Sequence, residues 1–239
     1  MLGTEHRDTL ATRFLLAAST GNAGDAAGAR DQYAALLPLH ERVLGPEHWV
    51  TLWARFSLAY WTGEAGDAAR AWDQSAALLP IVERVLGEHR VTLATRGILA
   101  RWTGEAGDAA GARDQYAVLL PIFERVLGAE HPDTLDARHV LARWTGEAGD
   151  AAGARDQYAA LFPLRERVQG REHPCTLDAR HELARWTGAA GDAAGARDQL
   201  AALLPIQERV SGAGHPDTLA ARGDLAYWTG QAENKSARQ

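Results

Sequence analysis

Cysteine, methionine and lysine each occur once in the 239 residues. One thiol, Cys175, makes no intramolecular disulfide, and it stands where sister segments carry Asp133 and Asp217. The only lysine, Lys235, lies outside any GxxxxGK[ST] context, which excludes a P-loop, and HExxH and CxxC patterns are absent too. No apolar stretch approaches the roughly 18 residues of a membrane span, and no basic segment leads into an apolar run at the start. Net charge is −6, which gives no reason to expect nucleic acid or an anionic membrane as partner. Strand-type alternation is missing throughout, so the chain is read as all-α. These absences lead us to expect a cytoplasmic protein with no catalytic centre, no metal and no cofactor.

What is present is repetition. The dipeptide Thr-Leu recurs at Thr9, Thr51, Thr92, Thr134, Thr176 and Thr218, in steps of 42, 41, 42, 42 and 42 residues. A fixed period of this size means one supersecondary unit stacked several times. The expected organisation is a single array with repeats at about 7–48, 49–89, 90–131, 132–173, 174–215 and a partial repeat at 216–239. Met1–Gly3 read as the remnant of a further second helix and Asn234 as a further N-cap, so a fragment of a longer array or a truncated chain is expected.

One repeat carries two helices. Pro132 suits the first helical position, Asp133 suits the dipole, and Leu135, Arg138, Leu141, Ala142 and Trp144 follow at helical spacing. Gly146 is expected to stop that helix, and Asp150 to cap a second one that runs to Gly170. The short linker GEAGD makes the two antiparallel neighbours. Pro38, Pro80, Pro121, Pro163 and Pro205 stand inside the second helix, where a recurrent bend is expected. The third repeat opens with GEHRVTL where the second has GPEHWVTL, so the loop between Gly87 and Thr92 should absorb one missing residue.

Counting the Thr as zero, leucine falls at seven, alanine at eight and twenty, and an aromatic often at twenty-four: Tyr33, Tyr116 and Tyr158, against Ser75 and Leu200. This pattern resembles the tetratricopeptide repeat. The 42-residue period and the HPDTL linker are similar to the longer variant of kinesin light chains and of sensor arms in actinobacterial signalling ATPases. The resemblance covers essentially the whole chain. It implies a right-handed α-solenoid of antiparallel helix pairs, a TPR-like superhelix whose concave face binds a protein or peptide without chemistry of its own. The alternative it implies is the sensor arm of a larger signalling ATPase. Two departures stand out: arginine (Arg13, Arg55, Arg96, Arg138, Arg180, Arg222) replaces the family's Trp at position four, and Thr replaces its Tyr at eleven.

Three regular sets look structural. Trp61, Trp102, Trp144, Trp186 and Trp228 hold position ten, where the first repeat has Ser19. If this position packs on the preceding repeat, a polar residue belongs at the free end. The position-four arginines match Glu41, Glu83, Glu124, Glu166 and Glu208 at position thirty-two as register pairs. His6, His48, His89, His131, His173 and His215 fall in the linkers, too far apart for one metal, and read as loop or capping residues.

Repeats differ most at positions two, five and nine of the first helix, one helical face. In tetratricopeptide repeats this face lines the groove. Its larger residues are Phe14, Trp53, Phe56, Tyr60, Arg101, Asp136, His139, Arg143, Asp178, His181, Arg185 and Tyr227. Aromatics and arginine dominate binding hot spots. The expected partner is therefore a peptide or protein with apolar and acidic segments, the acidic part facing the arginine line. Asp136 and Asp178 are expected to favour imidazolium at His139 and His181.

Overall fold

Each first helix starts on a histidine. The ring Nδ1 of His6, His48, His89, His131, His173 and His215 accepts the backbone N–H two residues on, at 3.2–3.3 Å. Histidine thus does the work usually given to Ser or Asp at an N-cap. Replacing His131 by Ala should cost about 1 kcal/mol in a denaturant titration, and His131→Asn much less, because Asn restores an acceptor.

The computed structural model describes residues 6–236; the reading of Met1–Gly3 as a helix remnant lies outside them, as do residues 237–239. The first helices are α1 (Arg7–Asn22), α3 (Trp49–Glu64), α5 (Arg90–Glu105), α7 (Pro132–Glu147), α9 (Pro174–Ala189) and the longer α11 (Pro216–Ser236). The second helices are α2 (Ala26–Leu44), α4 (Ala68–Leu86), α6 (Ala109–Leu127), α8 (Ala151–Gln169) and α10 (Ala193–Val210). Asn234 lies inside α11 and is not the N-cap expected from the sequence. No strand occurs among the described residues. The chain divides into two compact units, Met1–Gly107 with α1–α5 and Asp108–Gln239 with α6–α11. Within each, consecutive helices pack as antiparallel neighbours. No described helix is long and apolar enough to cross a membrane.

Second helices begin as expected. Asp25, Asp67, Asp108, Asp150 and Asp192 accept the N–H three residues on, and a glycine with φ near +100°, such as Gly149, makes the preceding turn. The interior prolines leave the helices continuous, and all five lie on the solvent side, where water can satisfy the carbonyl left without a partner. The missing residue of the third repeat is taken up in the loop. Gly87–His89 spans three residues where Gly45–His48 spans four, and Gly87 adopts φ 57° and ψ −133° instead of the φ 96° and ψ 155° of Gly45. The helices on either side keep their lengths of 19 and 16 residues.

Within a pair, the second helix covers the position-one leucine and the position-eight alanine. In the fourth repeat Ala154, Tyr158 and Leu161 close over Leu135 and Ala142. Burying each leucine contributes about 1.5–3 kcal/mol. Between pairs, tryptophan does the joining. The indoles of Trp61, Trp102, Trp186 and Trp228 lie against Gly21, Gly63, Gly146 and Gly188 of the preceding repeat. A Cβ on any of these glycines would fall closer to the ring than 3.0 Å, which real Cβ atoms do not reach. This corrects the expectation for Gly146. It does not end α7, which continues to Glu147; it is the bare backbone on which the next indole rests. Ser19 is exposed, as its place in the first repeat requires.

The arginine–glutamate register pairs also form, and they reach back across the junction. Arg55 meets Glu41 at 2.7 Å, Arg96 meets Glu83 at 2.7 Å, Arg138 meets Glu124 at 2.6 Å and Arg222 meets Glu208 at 2.7 Å. The equivalent Glu166 is taken by Arg171 instead.

Candidate functional site

The two units place the variable stripe in different surroundings. In the amino-terminal unit, Phe14 of α1 and Trp53 of α3 line an open apolar groove of about 520 Å³. Its walls include Leu10, Ala11, Leu15, Trp49, Val50 and Val91, with His40 and Leu44 from the end of α2. Leu15 is 66% exposed and Trp49 54%, so two large apolar side chains stand at a surface with nothing covering them. Phe14 meets Tyr33 edge-to-face at 5.0 Å, and the Tyr33 hydroxyl donates to the Phe14 carbonyl at 3.2 Å, which fixes α1 on α2. The Arg90 guanidinium lies 4.9 Å over the Trp53 ring and forms part of the rim. His40 is buried, and that burial, with His48 and Arg13 nearby, holds its pKa below the ordinary histidine value. A volume of this size is in the usual range for ligand clefts.

Phe56 and Tyr60 continue the stripe along α3 but lie outside the groove. Phe56 follows Trp53 at 5.1 Å between centroids and Tyr60 follows Phe56 at 6.4 Å, and both pack on Ala71, Ile98 and Trp102. They are half-buried parts of the repeat junction.

The arginine line differs from expectation. Arg101 holds Glu64 of the preceding repeat at 2.6 Å and lies 5.1 Å over Trp102. Arg185 holds Glu147 at 2.9 Å and Glu182 at 3.2 Å, and stacks on Trp186 at 4.7 Å. Arg143 stacks on Trp144 at the same 4.7 Å. Arg101 and Arg185 are thus neutralised by the chain itself, and their guanidinium planes cover the junction tryptophans. Sequence carried a signal for this: position nine is arginine only where position thirteen of the preceding repeat is glutamate, and Tyr227 faces Ala189 in the same register.

In the carboxy-terminal unit the stripe is a polar network. Arg165 of α8, 2% exposed, donates to Asp136 at 2.8 Å and to the Leu135 carbonyl at 3.2 Å. His139 packs edge-on to Tyr158 at 5.1 Å, and the Tyr158 hydroxyl donates to the His139 carbonyl at 3.1 Å. Asp178 approaches His139 at 3.5 Å, and His181 Nε2 donates to Asp224 at 2.9 Å. Each histidine therefore faces an aspartate of the next repeat instead of the one three residues earlier on its own helix. Imidazolium is not favoured at His139: burial, reinforced by the Arg165 cation, brings its pKa down to about 4. Burial likewise pushes the Tyr158 phenol up. Tyr227 lies on α11, 56% exposed and edge-on to Trp228 at 4.7 Å.

The stripe alone misses one position. Position thirty-one of the second helix is His40, Val82, Phe123, Arg165 and Gln207 in turn, every one of them buried. So wide a chemical range at one buried position is visible in the sequence, and it supplies both the groove's His40 and the network's Arg165. No group of three or more His, Cys, Asp or Glu able to hold a metal occurs among the described residues.

Antiparallel helix pairs joined by short capped linkers, with one tryptophan locking each of the four described junctions, define an all-α helical-repeat protein. The tetratricopeptide repeat profile matches residues 9–49, 92–133, 134–174 and 176–217, more than half of the sequence, and the chain belongs to that family. Residues 50–91, the repeat richest in aromatics on the stripe, lie outside the matched segments. No curated protein matches the chain. Among solved structures it is similar to the nearly identical TPR-like repeats of a putative kinesin light chain from Podosopora anserina, at 26% identity and TM-score 0.63, covering 86% of this chain and 98% of that one. It shares its fold with a Rap protein complexed with competence and sporulation factor, at 14% identity and TM-score 0.67, over 95% of this chain and 68% of that one. The same holds for a signal transduction ATPase with a tetratricopeptide repeat sensor from Pyrococcus horikoshii, at 11% identity and TM-score 0.62, over 95% of this chain and 34% of that one.

Proposed function

We propose that this chain is a non-enzymatic scaffold that binds a protein or peptide through the apolar groove of its amino-terminal unit. The observation that carries this reading is the coincidence of a groove of about 520 Å³ with two exposed large apolar residues, Leu15 and Trp49, at its wall. Isolated exposed leucines need no explanation, but a concave patch of several apolar groups is a binding surface. Phe14 and Trp53 form its base. The ligand is an extended or helical segment presenting apolar side chains to this groove. Acidic recognition by Arg101 and Arg185 is not part of the proposal, because Glu64 and Glu147 already occupy them.

The test is selection of peptides from a random library on the whole chain, followed by titration against a Leu15→Asp, Trp49→Asp double variant. Both residues are exposed, so the variant keeps its fold. Selected peptides rich in aliphatic or aromatic residues should bind the variant about tenfold or more weakly, a loss of about 1.4 kcal/mol or more. Peptides that bind both proteins equally would place the binding surface elsewhere.

A further inference from the structure

Two neighbouring repeats of the carboxy-terminal unit share an aspartate but not its counter-ion. In the fourth repeat, Arg165 at position thirty-one is 2% exposed and donates to the Asp136 carboxylate at 2.8 Å. Its other donors go to the Leu135 carbonyl and the Gln169 amide oxygen, both at 3.2 Å. In the fifth repeat, 42 residues on in each case, the aspartate returns as Asp178 but the arginine is replaced by Gln207. Gln207 is buried as deeply, at 2% exposed. Its Oε1 meets no donor, and its amide makes no hydrogen bond among the described residues. A buried amide left without partners is costly to keep, and a neutral side chain cannot balance an aspartate.

Asp178 is left short of positive charge. Its side chain is 54% exposed, and this is no effect of its place in the array, since Asp136, with two further first helices beyond it, is 59% exposed. His139 stands 3.5 Å away without hydrogen-bonding to it, and that ring is neutral, with a pKa of about 4. Other cations along the stripe are engaged: Arg185 by Glu147 and Glu182, and His181 with Asp224. Packing around the covered half of Asp178 holds its carboxyl above the ordinary aspartate value although Arg165 and His181 pull it down, and the Asp217 and Asp136 charges push it further up. An incoming cation would relieve all of this.

We propose that Asp178 and Gln207 form a receptor for the guanidinium of an arginine in a basic segment of a protein partner. The guanidinium reaches the Asp178 carboxylate from the exposed side, as Arg165 reaches Asp136 from the buried one. The Gln207 amide, engaged by nothing else, turns its oxygen to accept a second N–H. The planar fork of arginine suits two acceptors better than the point charge of lysine. Asp136 and Asp217 make the surrounding field negative, so further basic residues in the segment are favoured. The partner's charge is thus the opposite of the one expected from the arginine line. This site lies in the other unit from the apolar groove and does not depend on it.

The probe is a short labelled peptide of alternating arginine and glycine, titrated against the whole chain by fluorescence anisotropy at low salt. Saturable binding is expected, about tenfold or more weaker for Asp178→Asn and for Gln207→Arg, which supplies in the fifth repeat the internal cation that the fourth already has. Asp178→Asn removes a carboxylate that accepts no hydrogen bond, so its circular dichroism should match the wild type. Asp198→Asn takes one exposed carboxylate from α10 of the same unit and should leave the affinity within about twofold. The same peptide with citrulline for arginine keeps the shape, loses the charge and should not bind. Four results each overturn the proposal: no binding at about 1 mM peptide, equal binding of the citrulline peptide, wild-type affinity in folded Asp178→Asn or Gln207→Arg, or an equal loss in Asp198→Asn, which would reduce the attraction to net charge alone.

Discussion

Trp186→Ala will lower the stability of the carboxy-terminal unit by about 3–5 kcal/mol, the loss found when a large buried aromatic is deleted and its cavity does not collapse. The ring is 6% exposed and lies on the bare backbone of Gly146. Collapse is prevented because α7 and α9 are also held by helix α8 between them, so the void persists. Urea titration followed by circular dichroism gives the measurement, and an unchanged midpoint would remove the structural reading of the tryptophan ladder. A sharper version uses the partner. Gly146→Leu alone should destabilise strongly, since its Cβ would fall closer than 3.0 Å to the indole. Combined with Trp186→Ala, the new leucine enters the vacated space, so the double variant should be less damaged than the sum of the single ones. Additive losses would show that glycine and tryptophan do not act as one lock.

Acidification gives the second large effect. His139 is held neutral in the folded chain, with a pKa of about 4 against an ordinary value of 6.5. As pH falls, the unfolded chain takes up this proton first. The stability due to the neutral ring is therefore complete above about pH 6.5 and is lost progressively toward pH 4. At 1.36 kcal/mol per pKa unit the loss is about 3 kcal/mol. The neighbours act in both directions: Arg165 of α8 and Arg143 of α7 repel the added charge, while Glu182 of α9 and Asp136 of α7 attract it. The measurement is a difference between two proteins. Stability of the wild type and of His139→Gln is compared at pH 7.5 and 4.5. The wild type should lose about 3 kcal/mol more than the variant, and parallel losses would contradict the neutral buried ring.

Much of this fold is legible in the sequence because it is written six times. Repetition separates the Trp, Arg and Glu that build junctions from residues that vary, and the one-residue deletion near Gly87 is placed correctly in a loop since helices cannot absorb it without turning their faces. Sequence is a poorer guide where one residue type serves two purposes. Gly146 near a helix end looks like a stop signal, and only the position of the next indole reveals it as a contact surface. Arg101 and Arg185 look like free charge when each is read on its own helix, while Glu64 and Glu147 belong to the first helix of the preceding repeat. Trp49 and His40 are missed for a related reason: they join the groove from a linker end and from a second helix, outside the face on which periodicity focuses attention. Arg165 stands in a register that holds histidine, valine, phenylalanine and glutamine in the other repeats, and its partner Asp136 lies on another helix, so the pair is not visible from either helix alone.

The tryptophan locks carry no address. At all four described junctions the key is an indole at position ten and the keyhole a glycine at position twelve, with the arginine–glutamate clasp beside them nearly as uniform. Any repeat's indole therefore fits any other repeat's glycine about equally well, and neighbours are told apart only by the three to five residues of linker that tether them. During refolding a first helix can dock one repeat out of place, or on another molecule, with little loss of contact energy. Misassembly of this kind should rise with protein concentration and slow recovery after dilution from denaturant, while leaving the final stability unchanged.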